Sequence, residues 1–137
     1  MTGMVVNIDV DDLGSAVNFY CKALGLRLGR MLFDGTVAEL LGAASPIQLV
    51  TKPAGSPTSA HAAQRRDYGR HWTPVHLDFM VDDVEDATHR ARAAGATLEG
   101  DIQMFSWGRM ANLSDPFGNG FCLIQLVGRG YGEVASR

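Results

Sequence analysis

Residues 10–16, VDDLGSA, and 81–87, VDDVEDA, carry one pattern twice, and each copy follows a run that alternates apolar and polar residues, VVNID and HLDFM. The second copy begins just past the midpoint of the 137 residues, so the chain is written as two like halves. In the first, Val6, Ile8 and Val10 share one side of a strand, and Val5, Asn7 and Asp9 share the other. Asp11 or Asp12 then caps a helix, whose apolar stripe is Leu13, Ala16, Val17, Tyr20 and Leu24 and whose stop is Gly25. In the second, Leu77, Phe79 and Val81 oppose His76, Asp78 and Met80. Asp82 or Asp83 is the cap, and the stripe runs through Val84, Ala87, Thr88, Ala91 and Ala94 to Gly95.

Three short strand-like runs follow each helix. In the first half they are LRLGRML, TVAELLG and PIQLVTK; in the second, ATLEGDIQMF, GRMANLS and GFCLIQLV. Residues 52–74 between the halves are rich in Pro, Gly, Ser and charge and are expected to form a surface connection with a helical turn at 60–66. Each half is therefore β-α-β-β-β. One helix cannot cover both faces of a four-stranded sheet, so the two halves should share a structure.

The charge balance excludes some partners. A net charge of −3 lacks the positive face that nucleic acid requires. No apolar run approaches the roughly 18 residues of a membrane span. Asp9, Asp11 and Asp12 interrupt the region where a signal peptide needs apolar residues. Two cysteines without a C-x-x-C pair point to a reduced, cytoplasmic setting.

VDDLGSAVNFYCKALGL at 10–26, VHLDFMVDDVEDATHRARAAGA at 75–96 and WGRMANLSDPFGNGFCLIQL at 107–126 resemble the vicinal oxygen chelate superfamily, also called the glyoxalase/bleomycin-resistance/dioxygenase family. The likeness covers about residues 4–127. It implies an α+β fold in which two βαβββ modules form an open curled sheet, or barrel, around a cleft. The first module would be 1–51, the connection 52–74, the second module 75–127 and a tail 128–137, which would lie on a partner or be disordered. A homodimer and a small-molecule ligand are the partners this implies. Family enzymes hold a divalent metal through the first and last strands of both modules, whereas other members sequester an antibiotic without one.

On that pattern His76 is the only good match to a metal ligand. Val5, its counterpart in the first module, has no donor atom. Gln48 stands where an enzyme would place Glu, and after DPFGN the acidic position falls at Cys122 or, in a shifted register, Gln125. A catalytic metal needs about three His, carboxylate or thiolate ligands, so no metal cofactor is expected. A divalent metal stays open if Asn7, Asp9 or Asp78 supplies oxygens nearby.

Asn7, Asp9, His76 and Asp78 all fall opposite the helix-packing residues and so face the expected cleft. His76 with Asp78 is the candidate acid–base pair. Asn7, Asp9, Gln48, Trp107, Arg109 and Cys122 are the candidate ligand contacts. Trp107 and Arg109 alternate on a predicted strand, where they would offer a stacking surface and a fixed cation. Their structural alternatives are a barrel plug for Trp107, an acidic partner for Arg109 and an inert buried thiol for Cys122. DPFGNG is a turn in which Gly118 and Gly120 are expected at positive φ. The RRDYGRH segment could close over an acidic ligand. The expected function is binding of a planar or charged small molecule by a protein with a degenerate metal site. The alternative is a metal-dependent or acid–base lyase, isomerase or dioxygenase of the same superfamily.

Overall fold

The computed structural model describes residues 1–136 and divides the chain into two units, Met1–Gly69 and Arg70–Arg137. Arg137, the end of the expected tail, lies outside the described residues.

In the first unit the alternation at 5–10 becomes β1 (Val6–Val10), followed by α1 (Leu13–Leu24), β2 (Arg27–Leu32), β3 (Val37–Leu41) and β4 (Ile47–Thr51). Asp12 is the cap, its carboxylate accepting the Ser15 N–H at 3.0 Å, and Gly25 ends the helix at φ 67°. The sheet order is β1-β4-β3-β2 with β1 parallel to β4. Val10, Ala38, Leu40 and Leu49 are buried on one face with Ala16, Phe19 and Ala23 of α1. Each fully buried Leu or Phe there contributes roughly 1.5–3 kcal/mol.

The second unit repeats the plan with β5 (Leu77–Met80), α2 (Val84–Ala93), β6 (Thr97–Leu98), β7 (Gln103–Met104), β8 (Gly108–Ser114) and β9 (Gly120–Leu126). Here Asp83 is the cap, accepting the Asp86 N–H. The order is β5-β9-β8-β6, with β7 also on β8, and β5 is parallel to β9. Both sheets are open. The single strand expected over ATLEGDIQMF is instead two short pairings, β6 and β7, because Gly100 at φ 86° turns the chain away between them. The register of β2 on β3 also shifts, between Leu28 and Met31.

One further expectation changes. Residues 60–66 form no helical turn; Pro57 bridges Arg65, and the Gly55 N–H donates to the Arg66 carbonyl at 2.8 Å. The tail folds into a 3-10 turn at Gly130–Glu133, tied by Arg129 to Glu133 at 3.0 Å. Among the described residues, no helix is long and apolar enough to cross a membrane.

Candidate functional site

Period two decides which side chains meet in the second unit. Leu77, Phe79, Ala111, Leu113, Phe121 and Leu123 share the face that α2 covers. The parallel register then sets Asp78 beside Cys122, and the antiparallel register sets Cys122 beside Asn112, all on the opposite face. His76, two residues before Asp78, joins them, with Nε2 3.3 Å from Asp78 Oδ1. The donor atoms of His76, Asp78 and Cys122 lie within 4.8 Å of one another. The His76 and Asp78 side chains remain 44% and 37% exposed, whereas Cys122 is buried.

Cys122 Sγ lies 3.4 Å from Asn112 Oδ1. Burial, then the Asp78 charge, push the thiol up to about 12. It is therefore protonated near neutral pH and is no nucleophile.

An aromatic wall stands beside this cluster, and it is Trp72. Its ring meets the His76 imidazole edge to face at 5.4 Å, and its Nε1–H donates to Glu99 Oε1 at 3.1 Å. The Arg70 guanidinium stacks 4.8 Å from the indole centroid and donates two hydrogen bonds to Glu99. Arg70 above all, aided by Trp72, holds the Glu99 carboxyl below the ordinary carboxylate range. Gly118 adopts the expected positive φ, 91°, but Gly120 does not. Gly120 is small for a different reason: a Cβ there would meet the Trp72 ring at 2.4 Å. Trp72 escapes a sequence reading because it sits in an aperiodic connection; the glycine opposite is its only trace.

Trp107 and Arg109 do not join His76. Arg109 projects from the helix-facing side of β8 and pairs with Glu85 of α2, so the acidic-partner alternative is the one found. Trp107 precedes β8 and stacks on Phe105 at 5.0 Å, with Tyr131 at 5.2 Å on the tail. Gln125 also faces α2, accepting the Val84 N–H at 2.9 Å, which removes it as the shifted-register ligand. Asp115 of DPFGN accepts the Phe117 and Asn119 N–H groups, each at 2.8 Å, and so shapes the turn.

In the first unit the matching row is Asn7, Gln48 and Glu39, neighbours across β1, β4 and β3. Glu39 is a buried carboxylate that the strand VAELL disguises as core. It accepts from Arg30 Nε at 3.0 Å and Nη2 at 2.7 Å, and these hydrogen bonds hold its pKa down. Asp9 accepts from Arg66 Nε at 2.6 Å. Both carboxylates on this face are thus engaged by guanidinium groups, and Val5 adds no donor. The RRDYGRH segment is likewise engaged internally: Arg66 on Asp9, Tyr68 donating to the Lys52 carbonyl, Arg70 on Glu99.

His76 was the one good metal ligand legible in the sequence; the fold sets a carboxylate and a thiol beside it. Imidazole, carboxylate and thiolate together suit a borderline-soft divalent cation, with bonds of roughly 2.0–2.3 Å. The partly exposed His76 and Asp78 side chains leave room for a further ligand. The donor set therefore fits such an ion.

The glyoxalase-like domain family matches residues 5–124. An uncharacterized protein of Mycobacterium bovis is 34% identical over 122 residues, spanning 86% of this chain and 79% of that protein. A glyoxalase/bleomycin resistance protein/dioxygenase family enzyme from Burkholderia phytofirmans superposes with a TM-score of 0.70 at 24% identity, over 90% of this chain and 97% of its own. The genomically encoded fosfomycin resistance protein of Listeria monocytogenes superposes with a TM-score of 0.69 at 18% identity, over 91% and 93%. At such identities the two superpositions speak for the fold.

Proposed function

The chain belongs to the glyoxalase-like domain family, and we propose that it binds a small planar or charged molecule on the open face of the second unit's sheet. The observation that carries this reading is the half-exposed His76–Asp78 pair set against the Trp72 ring. The pair offers a donor and an acceptor to a polar group, and the indole offers a stacking surface. Arg70 and Glu99 hold that ring in place. Structures of the same fold include a fosfomycin resistance protein and a glyoxalase/bleomycin resistance family enzyme, which supports capture of an antibiotic-like compound. A reduced cytoplasmic setting and a homodimer are proposed with it.

The runner-up reading is a lyase, isomerase or dioxygenase, metal-dependent or using His76 and Asp78 as acid and base. It rests on the 3.3 Å contact between those two residues and requires a turnover that His76→Ala abolishes. A bound divalent metal would be held by His76, Asp78 and Cys122 and would supply charge to orient oxygens of the ligand.

Thermal unfolding with bleomycin, fosfomycin and a panel of aromatic carboxylates tests the binding reading. A compound at one hundred times its Kd stabilises by about 2.7 kcal/mol. At least one of these probes is expected to raise the Tm, and the rise should vanish in His76→Ala. A panel that shifts nothing, or a shift unchanged in His76→Ala, would count against it.

A further inference from the structure

Four carboxylates of the two units, Glu39, Asp9, Glu99 and Glu85, each have an arginine. Asp78 differs. Among the described residues no arginine or lysine pairs with it, and its half-exposed side chain has the His76 imidazole and the Cys122 thiol beside it. A carboxylate without a fixed cation suits a cation brought from outside. The next row of the same sheet face is apolar. Two residues further along the strands, the ladder sets Met80 beside Ile124 and Ile124 beside Met110. Met80 is exposed, Met110 half-buried and Ile124 fully buried, so two flexible thioethers flank an aliphatic floor. Leu126, exposed and one row beyond, extends it. We propose that the molecule taken by this face is an amphipathic organic amine, with its ammonium on Asp78 and its ring-bearing apolar body over Met80 and Met110.

The proposal rests on the reading that the second unit's open face binds a small molecule, and it narrows that molecule to one sign of charge and one direction on the sheet. Charge decides the sign. An anionic head would meet the Asp78 carboxylate, and Arg70 offers it no compensation, because Glu99 and the His71 carbonyl accept its hydrogen bonds. The protonated Cys122 thiol adds no charge of its own. Spacing decides the direction. The polar and apolar rows lie roughly 7 Å apart, twice the rise per residue of a strand, so a one- or two-ring body attached to the amine reaches the methionines. A head without a body would leave their apolar surface in water. Unbranched methionine side chains adapt to rings of different outline, so the body is recognised by its apolar area more than by its exact shape.

Isothermal titration calorimetry of the full chain would compare 2-naphthylmethylamine with 2-naphthoate, its anionic counterpart, and with methylamine, the head alone. The naphthyl amine is expected to bind at least roughly tenfold tighter than either, and Asp78→Asn should cost it about tenfold, the worth of a charged hydrogen bond. Naphthoate should bind Asp78→Asn no more weakly than it binds the parent. Met80→Ala should weaken the amine at least about fourfold, the worth of one buried CH2. Met104→Ala, at an exposed methionine on the opposite face of the same sheet, should change nothing. If circular dichroism shows Asp78→Asn unfolded, Met80→Ala and the comparison of amine with naphthoate decide. Naphthoate binding as tightly as the amine, and lost in His76→Ala, would overturn the proposal and keep the binding reading. Amine affinity unchanged in both Asp78→Asn and Met80→Ala, or an equal loss in Met104→Ala, would also overturn it. So would the absence of heat from all three probes; the binding reading falls with it only if the bleomycin, fosfomycin and carboxylate panel also leaves the Tm unmoved.

Discussion

The ring of Trp72 lies over the backbone of Gly120, where a Cβ would meet the indole at 2.4 Å, closer than a real side chain tolerates. Gly120→Ala must therefore move the ring or the strand, and overpacking of this kind costs roughly 1–3 kcal/mol. Denaturant unfolding should show that loss; a variant as stable as the parent would mean that the ring does not sit there. The same ring depends on Glu99, whose pKa is lowered chiefly by Arg70. A carboxylate depressed in the folded state contributes stability above its unfolded pKa, and loses it as pH falls through the folded one. The Tm should thus hold near neutrality and fall below about pH 4.3. Glu99→Gln should be less stable near neutrality and should lose less of its Tm on acidification; an acid limb as steep as the parent's would show that this carboxylate is not among the responsible groups. Side-chain alternation was enough to put His76 and Asp78 on one face. It could not expose Trp72, which lies in a segment without period, nor Glu39, whose arginine is reached only across a strand bulge.

Helices and long strands read well because period and caps agree: Asp12 and Gly25 bracket α1, and Asp83 begins α2. The two-residue strands β6 and β7 read poorly, since a pairing that short leaves no alternation and Gly100 sets the break. The sequence leaves the roles of Arg109 and Gln125 open for a related reason. Both are polar residues on the face that α2 covers, where each serves the helix: Arg109 pairs with Glu85, and Gln125 accepts the first helical N–H. Gln125→Ala should leave that N–H without its partner and destabilise the protein by about 1 kcal/mol, as loss of a cap does. Metal and small-molecule binding should be unaffected in the same variant. Loss of binding without loss of stability would return Gln125 to the site.

The half-length repeat makes the two-unit plan and the family legible in the sequence itself. Function did not come with the fold, because one such scaffold hosts many chemistries and only the side chains on one face distinguish them. Here the first unit's two carboxylates, Glu39 and Asp9, are each paired with an arginine, while the second unit leaves His76 and Asp78 half-exposed beside Trp72 with no arginine on them among the described residues. That asymmetry makes the protein's two tryptophans a reporter pair, Trp72 at the proposed site and Trp107 stacked with Phe105 and Tyr131. The most direct measurement is fluorescence of Trp107→Phe and of Trp72→Phe, each titrated with whichever of bleomycin, fosfomycin or the aromatic carboxylates raises the Tm most. The remaining Trp72 emission should change on binding and stop responding when His76→Ala is added, with Trp107 silent. A response from Trp107 alone, or a Trp72 response that survives His76→Ala, would place binding elsewhere.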